Sequence, residues 1–247
     1  MTDLVPAAAR NIAGWHECCL ASLGVASRYE GATWVCEEPA PFIYLGAVTL
    51  GGAYRAGEHF ETIRLLAEKR SGTFAFNDTW AVLDPAPLGF SVFGRESWLA
   101  RQAGAPLRGQ PLNTVERVTT PAELVEFEEA QHLGFETPEL LELGQCGVYG
   151  RGLLDDPRMH IYVVRAENGE VTGGSMGFVE AGVVGVYSVA TRPEYRRRGY
   201  GEALTWAALG SAPELPAVLQ PSEMGEPIYQ RMGFAPVGRF TNWIRRA

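Results

Sequence analysis

Arg196-Arg197-Arg198-Gly199-Tyr200-Gly201 is the stretch whose residue types could do chemistry. Before it, Val183, Val184, Val186, Tyr187 and Val189 form a near-continuous apolar, β-branched run, which suits a strand covered on both faces. After it, Ala203, Leu204, Ala207 and Ala208 recur at helical spacing. A glycine turn entering a helix leaves the first-turn N–H groups without intrahelical partners, at the positive end of the dipole. That is an anion site. Gly199 and Gly201 let a phosphate approach the backbone, and three arginines suit a pyrophosphate or a 3′-phosphate. The loop has neither the third glycine of a dinucleotide-binding G-x-G-x-x-G nor the Gly-Lys-Ser/Thr of a P-loop.

Arg196-x-x-Gly199-x-Gly201, led in by Pro193-Glu194-Tyr195, resembles the acetyl-CoA loop of the GNAT superfamily of N-acetyltransferases. Tyr229, four residues before the glycine of Gly233-Phe234, fits a second pattern of that family. The resemblance covers residues 114–247. It implies a pair of parallel strands that separate after a bulge and receive the pantetheine arm between them. Val189, Ala190 and Thr191 would offer backbone groups to that arm, and Arg196, Arg197, Arg198, Gly199, Tyr200, Gly201 and Glu202 would surround the pyrophosphate. Ser222 stands where the family often has asparagine, and can donate one hydrogen bond. Tyr229 would protonate the departing thiolate. The implied reaction is acetyl transfer from acetyl-CoA to a primary amine of a small molecule by direct attack, without a covalent enzyme intermediate and without a metal. A CoA-binding sensor or a structural pseudoenzyme is the alternative. The general base stays open among Tyr187, Glu128, His132, His160 and a water relay.

The supporting elements follow from pattern. Ile12, Trp15, Cys19 and Leu20 predict a helix over residues 8–23. Strands are expected over Thr33–Cys36, Phe42–Val48 and Thr73–Phe76, with a helix from Phe60 to about Lys69. Thr114–Val118 reads as a strand, and Thr120-Pro121-Ala122-Glu123 as an N-cap, a proline at N1 and an acid in the first turn of a helix. Glu167-Asn168-Gly169 joins two strands as a hairpin. Pro216–Gln220 is a further short strand.

LGFSVFGRESWLAR, from Leu88, lines up with MGFAPVGRFTNWIRR, from Met232. Gly89, Phe90, Gly94 and Arg95 match Gly233, Phe234, Gly238 and Arg239 at an offset of 144; Trp98 and Arg101 match Trp243 and Arg246 after one inserted residue. Carried back, the offset sets Gly57-Glu58 on Gly201-Glu202 and Phe42–Val48 on Val186–Arg192, but Arg55 on Gly199 and Pro85 on Tyr229. The expected architecture is α/β: two tandem GNAT-like domains, each a central mixed sheet flanked by helices. Residues 1–110 form a degenerate copy that shapes the acceptor cleft, 102–113 a linker, and 114–247 the catalytic copy.

The 247 residues suffice for one large or two small domains. A formal charge of −8 and a pI near 5.1 speak against a general nucleic-acid binder and suit a cationic amine. No apolar stretch approaches a membrane span, and four cysteines without zinc or C-x-x-C spacing read as reduced thiols. The expectation is a soluble cytoplasmic protein, with neither nucleic acid nor membrane as partner.

Overall fold

The first helix shows how pattern becomes packing. Its stripe of Ile12, Trp15, Cys19 and Leu20 is buried in the computed structural model, which describes residues 3–36, 43–104 and 115–246. Starts of strands at Phe42 and Thr114, and most of the 102–113 linker, lie outside the described residues.

In chain order the first half contributes α1 (Val5–Ser22), β1 (Ser27–Glu30), β2 (Thr33–Cys36), β3 (Ala47–Thr49), α2 (Ala56–Lys69), β4 (Phe74–Asp78) and β5 (Ser91–Arg101). The second contributes β6 (Val115–Arg117), α3 (Pro121–Gly134), β7 (Met159–Arg165), β8 (Val171–Glu180), β9 (Val183–Thr191), α4 (Tyr200–Leu209), β10 (Ala217–Leu219), α5 (Glu226–Arg231) and β11 (Ala235–Arg245). Thr120 caps α3 in a reciprocal capping box with Glu123. The strand expected over Phe42–Val48 is shorter and later, because the chain turns before Ala47.

The eleven strands of the described residues join one mixed sheet in the order β1-β2-β3-β4-β11-β5-β10-β9-β8-β7-β6. β3 and β4 run parallel, as do β9 and β10, and every other pairing is antiparallel. A helix crosses over between the strands of each parallel pair, as such pairs require. Alternation decides the faces. Trp98 and Ala100 of β5 join the core under α1 and α3, whereas Leu99 between them joins the core under α4. On β2, Trp34 and Cys36 point to the α1 side and Val35 to α2, so α2 and α4 share the opposite face.

The last strand of each half lies against the other half. β5 pairs with β10, and β11 pairs with β4. β5 and β11 themselves pair around a local two-fold: Gly94 faces Asn242, and its counterpart Gly238 faces Trp98. Bulges skip Phe93 on one strand and Val237 on the other, again residues related by the offset of 144.

This register corrects two details of the sequence repeat. The counterpart of Trp98 is Asn242, and Trp243 sits one position on, facing the α2 core while Trp98 faces the α1 core. A one-residue slip exchanges faces, so the two tryptophans are not equivalent. The offset of 144 relates the starts of α2 and α4, Ala56 and Tyr200, but fails for the preceding strand. There the parallel rungs are Ala47–Phe76 and Val48–Asn77 in one half, Val184–Ala217 and Gly185–Val218 in the other. The second half therefore carries extra residues between its last rung and its helix, and they include the arginine loop.

Candidate active site

β10 pairs with β9 only through Val184 and Gly185. β9 runs on to Thr191, so its edge from Val186 onward has no strand partner on that side among the described residues. On its other edge the register with β8 jumps from Gly174–Ala190 to Met176–Tyr187, a bulge that spends an extra residue on β9. Ser188 sits in the bulge at φ 51°, the left-handed region that non-glycine residues seldom occupy. Tyr187 and Ser188 thereby turn to the same face. Tyr187 stacks on Trp15 with centroids 4.7 Å apart and donates to Asn11 Oδ1 at 2.6 Å, while Ser188 Oγ lies 3.3 Å from the Tyr149 hydroxyl. Val189 leans on the α4 core, and Ala190 packs beneath α3. At Gly134 a Cβ would sit 2.8 Å from the Ala190 Cβ, so the missing side chain lets α3 lie close on β9.

Past Thr191 a short turn, Pro193–Tyr195, leads into the loop. Arg197 at φ 63° and Gly199 at φ 83° reverse the chain, and Gly199 becomes the N-cap of α4 with no side-chain cap on the first turn. Arg197 and Arg198 are exposed, and the Arg198 guanidinium lies over the Tyr195 ring. Arg196 is employed differently from its neighbours. Its Nε donates to the Thr191 carbonyl at 3.1 Å and its Nη2 to the Gly134 carbonyl at 2.8 Å, tying the loop to β9 and α3. Glu170, just before β8, accepts from Tyr195 at 2.7 Å and from Arg192, which braces the loop. Glu202 accepts from Trp206 Nε1 one turn along α4.

Tyr229 lies on α5, half-buried, edge-on to Phe234 and packed against the α4 core. Burial pushes its phenol up to about 12, and the Thr205 hydroxyl on α4 draws it partly back. The phenol thus holds its proton at neutral pH, the state a proton donor needs. Ser222 is exposed and its Oγ accepts from Gly225 N–H at 3.2 Å, which leaves its own proton available.

Of the groups considered for a general base, Tyr187 is bonded to Asn11. Glu128 is 3% exposed rather than on a solvated helix face. Its carboxylate accepts from the backbone N–H groups of Cys146, Val148 at 2.7 Å and Tyr149 at 3.0 Å. His132 is buried, and burial lowers its pKa and that of His160. Tyr149, Ser188, Asn11 and Trp15 had no motif to mark them.

At the matching place in the first half, Thr79 closes the ends of β3 and β4. Its N–H donates to Thr49 Oγ1 at 2.9 Å and its hydroxyl to the Thr49 carbonyl at 2.8 Å. Glu58, the counterpart of Glu202, accepts from Ala32 N–H and pairs with Arg55.

Residues 157–236 match the family model described as an acetyltransferase (GNAT) domain. A GCN5-related N-acetyltransferase from Kribbella flavida superposes with a TM-score of 0.64 at 19% identity, over 97% of this chain and 96% of that one. A conserved protein of unknown function from Staphylococcus epidermidis gives 0.61 at 13%, over 94% and 99%. A GCN5-related N-acetyltransferase from Sphaerobacter thermophilus gives 0.53 at 15%, over 98% and 92%. No curated protein matches by sequence. The chain has the mixed α/β fold of GNAT N-acetyltransferases, and its second half carries the match to their acetyltransferase domain.

Proposed function

We propose that this protein is an acetyl-CoA-dependent N-acetyltransferase that acetylates a primary amine of a small molecule in the cytoplasm. The observation that carries the reading is the β9–β10 separation after Gly185, which opens toward the uncapped first turn of α4 behind Gly199. A strand edge suits the amides of a pantetheine arm, and an uncapped helix start flanked by Arg197 and Arg198 suits a pyrophosphate. Val189, Ala190 and Thr191 supply the strand edge, and Arg197 through Glu202 the anion cradle. Arg196 acts one step back, holding the cradle to β9 and α3. Ser222 keeps a proton for one further contact.

Acetyl-CoA supplies an activated thioester: the amine nitrogen bonds to its carbonyl carbon, the C–S bond breaks, and the thiolate leaves. Tyr229 delivers a proton to the sulfur and recovers one from solvent, and the amine gives its own proton to water. We also read the two halves, 1–110 and 114–247, as tandem copies of one domain, the first degenerate. What supports this is the shared order of strands and the two-fold pairing of β5 with β11, together with the Thr49–Thr79 clasp across the slot of the first half.

Gly199→Glu is the direct test. A side chain at φ 83° and a carboxylate beside the pyrophosphate should abolish CoA binding by calorimetry. Wild-type affinity in that variant refutes the site.

A further inference from the structure

The outer edge of the first half holds a cavity that acetyl transfer does not use. On α2, Thr62, Leu65, Leu66 and Lys69 recur at i, i+3, i+4 and i+7, so they share one helix face. Arg28 and Glu30 alternate on β1, the strand that ends the sheet, and together with Arg70 they complete a cavity of about 250 Å³. β1 lies six places along the sheet from β10, roughly 30 Å from the opening beside β9.

The cavity wall is rich in positive charge that has nothing to neutralise it. Glu30 is taken by Arg28 at 2.7 Å, whereas no ion pair is seen at Lys69 or Arg70 among the described residues. Those two are not needed to close the end of α2 either, because Arg245 of β11 already donates to the carbonyls of Ala67 at 2.8 Å and Arg70 at 3.0 Å. The Arg70 guanidinium lies on the Phe74 ring, with the Cys36 thiol, a weak acceptor, beside it. Its Nε and Nη2 form one edge of the planar fork; they are shielded from water and make no hydrogen bond among the described residues. A guanidinium stays protonated, and buried donors without an oxygen acceptor are costly.

We infer that this cavity binds a small organic carboxylate, its charged end between Lys69 and Arg70 and its alkyl or aryl body along Leu65 and Leu66. Turning the Arg70 side chain off Phe74 presents the Nε–Nη2 edge, which matches the two oxygens of a carboxylate. Lys69 adds charge, and the Thr62 hydroxyl adds a donor. Glu30 in the same wall repels a dianion, so a phosphate ester is the poorer ligand. The volume is that of roughly eight waters, which suits a molecule the size of hexanoate or benzoate. The inference is independent of the acetyltransferase reading, because none of these residues lies on β9, α4 or α5.

Calorimetry on the full chain tests it with butanoate, pentanoate, hexanoate and benzoate, against hexylammonium, hexanol, inorganic phosphate and phenyl phosphate. Hexanoate and benzoate should bind, with Kd falling roughly 3-fold per methylene from butanoate to hexanoate, while hexylammonium and hexanol should not. Lys69→Glu should weaken hexanoate on the order of 10-fold, and Arg70→Gln should weaken it further. Leu65→Ser should flatten the dependence on chain length, and Glu30→Gln should improve phenyl phosphate more than hexanoate. Lys69 and Leu65 are exposed, so their variants decide the matter even where Arg70→Gln fails to fold. Absence of hexanoate binding at millimolar concentration, hexanol or inorganic phosphate binding as tightly as hexanoate, wild-type affinity in Lys69→Glu, or displacement of hexanoate by acetyl-CoA would overturn the inference.

Discussion

The Tyr149 hydroxyl lies 3.3 Å from Ser188 Oγ, joining a phenol from the α3–β7 connection to the residue in the β9 bulge. The contact depends on a buried charge elsewhere. Glu128 fixes the backbone N–H of Tyr149 and thereby aims the ring, while the left-handed backbone of Ser188 turns its hydroxyl to meet it. Ser188→Gly should keep the bulge, since glycine accepts that conformation at little cost. Ser188→Val should lose roughly 1–3 kcal/mol, because a β-branched residue is strained there. Urea denaturation of the two variants decides the matter: equal midpoints would mean that the bulge does not constrain the residue.

Tyr229→Phe removes the proposed proton donor and keeps the ring against Phe234. Turnover should fall on the order of 10²-fold with acetyl-CoA affinity nearly intact, as expected for a group acting only in the transition state. The high-pH arm of the kcat profile should also change, since burial sets the wild-type phenol at about 12. Unchanged turnover would make Tyr229 a packing residue.

The sequence carried the local signals well and the long-range ones poorly. The Thr120 cap, the Glu167-Asn168-Gly169 hairpin and the strand–loop–helix around Gly199 depend on neighbours a few residues apart, and each is where its pattern placed it. The repeat marked the segments that form β5 and β11 without reading them as strands, and an alignment of two segments does not say which part of a sheet each joins. A constant offset also hid the extra residues between β9 and α4, while the inserted residue paired Trp98 with a tryptophan on the other face. Glu128 could not be distinguished from a solvated helix carboxylate, because its partners lie in an irregular segment without periodicity.

His16 makes stability depend on pH. It is 3% exposed between Trp15, Trp34 and Tyr44, its Nδ1 has no partner among the described residues, and burial lowers its pKa from 6.5 to about 3. The unfolded chain takes up a proton below pH 6.5 while the folded chain resists until about 3, so stability is complete above 6.5 and is lost as pH falls. The loss from this residue should reach about 2 kcal/mol by pH 5. His16→Gln should lessen the slope of urea midpoints between pH 7 and 5. An unaltered slope would assign the acid sensitivity to other groups.

The exchange of β5 and β11 predicts that neither half folds alone. Removing residues 1–110 deletes β5 from between β10 and β11, and deletes β4 from the far edge of β11. The remaining chain would carry three newly unpaired strand edges, one on β10 and both of β11, and an uncovered apolar face, a combination that promotes aggregation. Acceptor turnover should disappear with it. In the intact protein the same connection couples the halves, because Trp98 on β5 is buried under α1, donates to the Thr79 carbonyl of the first half, and stands on the strand that pairs with β10. Trp98→Ala should therefore destabilise both halves together by roughly 3–5 kcal/mol, as one transition shifted to lower urea. Tryptophan fluorescence follows both halves, and far-UV circular dichroism the whole sheet. Two separate transitions, or a monodisperse and active fragment from residue 111 onward, would show that the exchanged strands do not bind the halves into one folding unit.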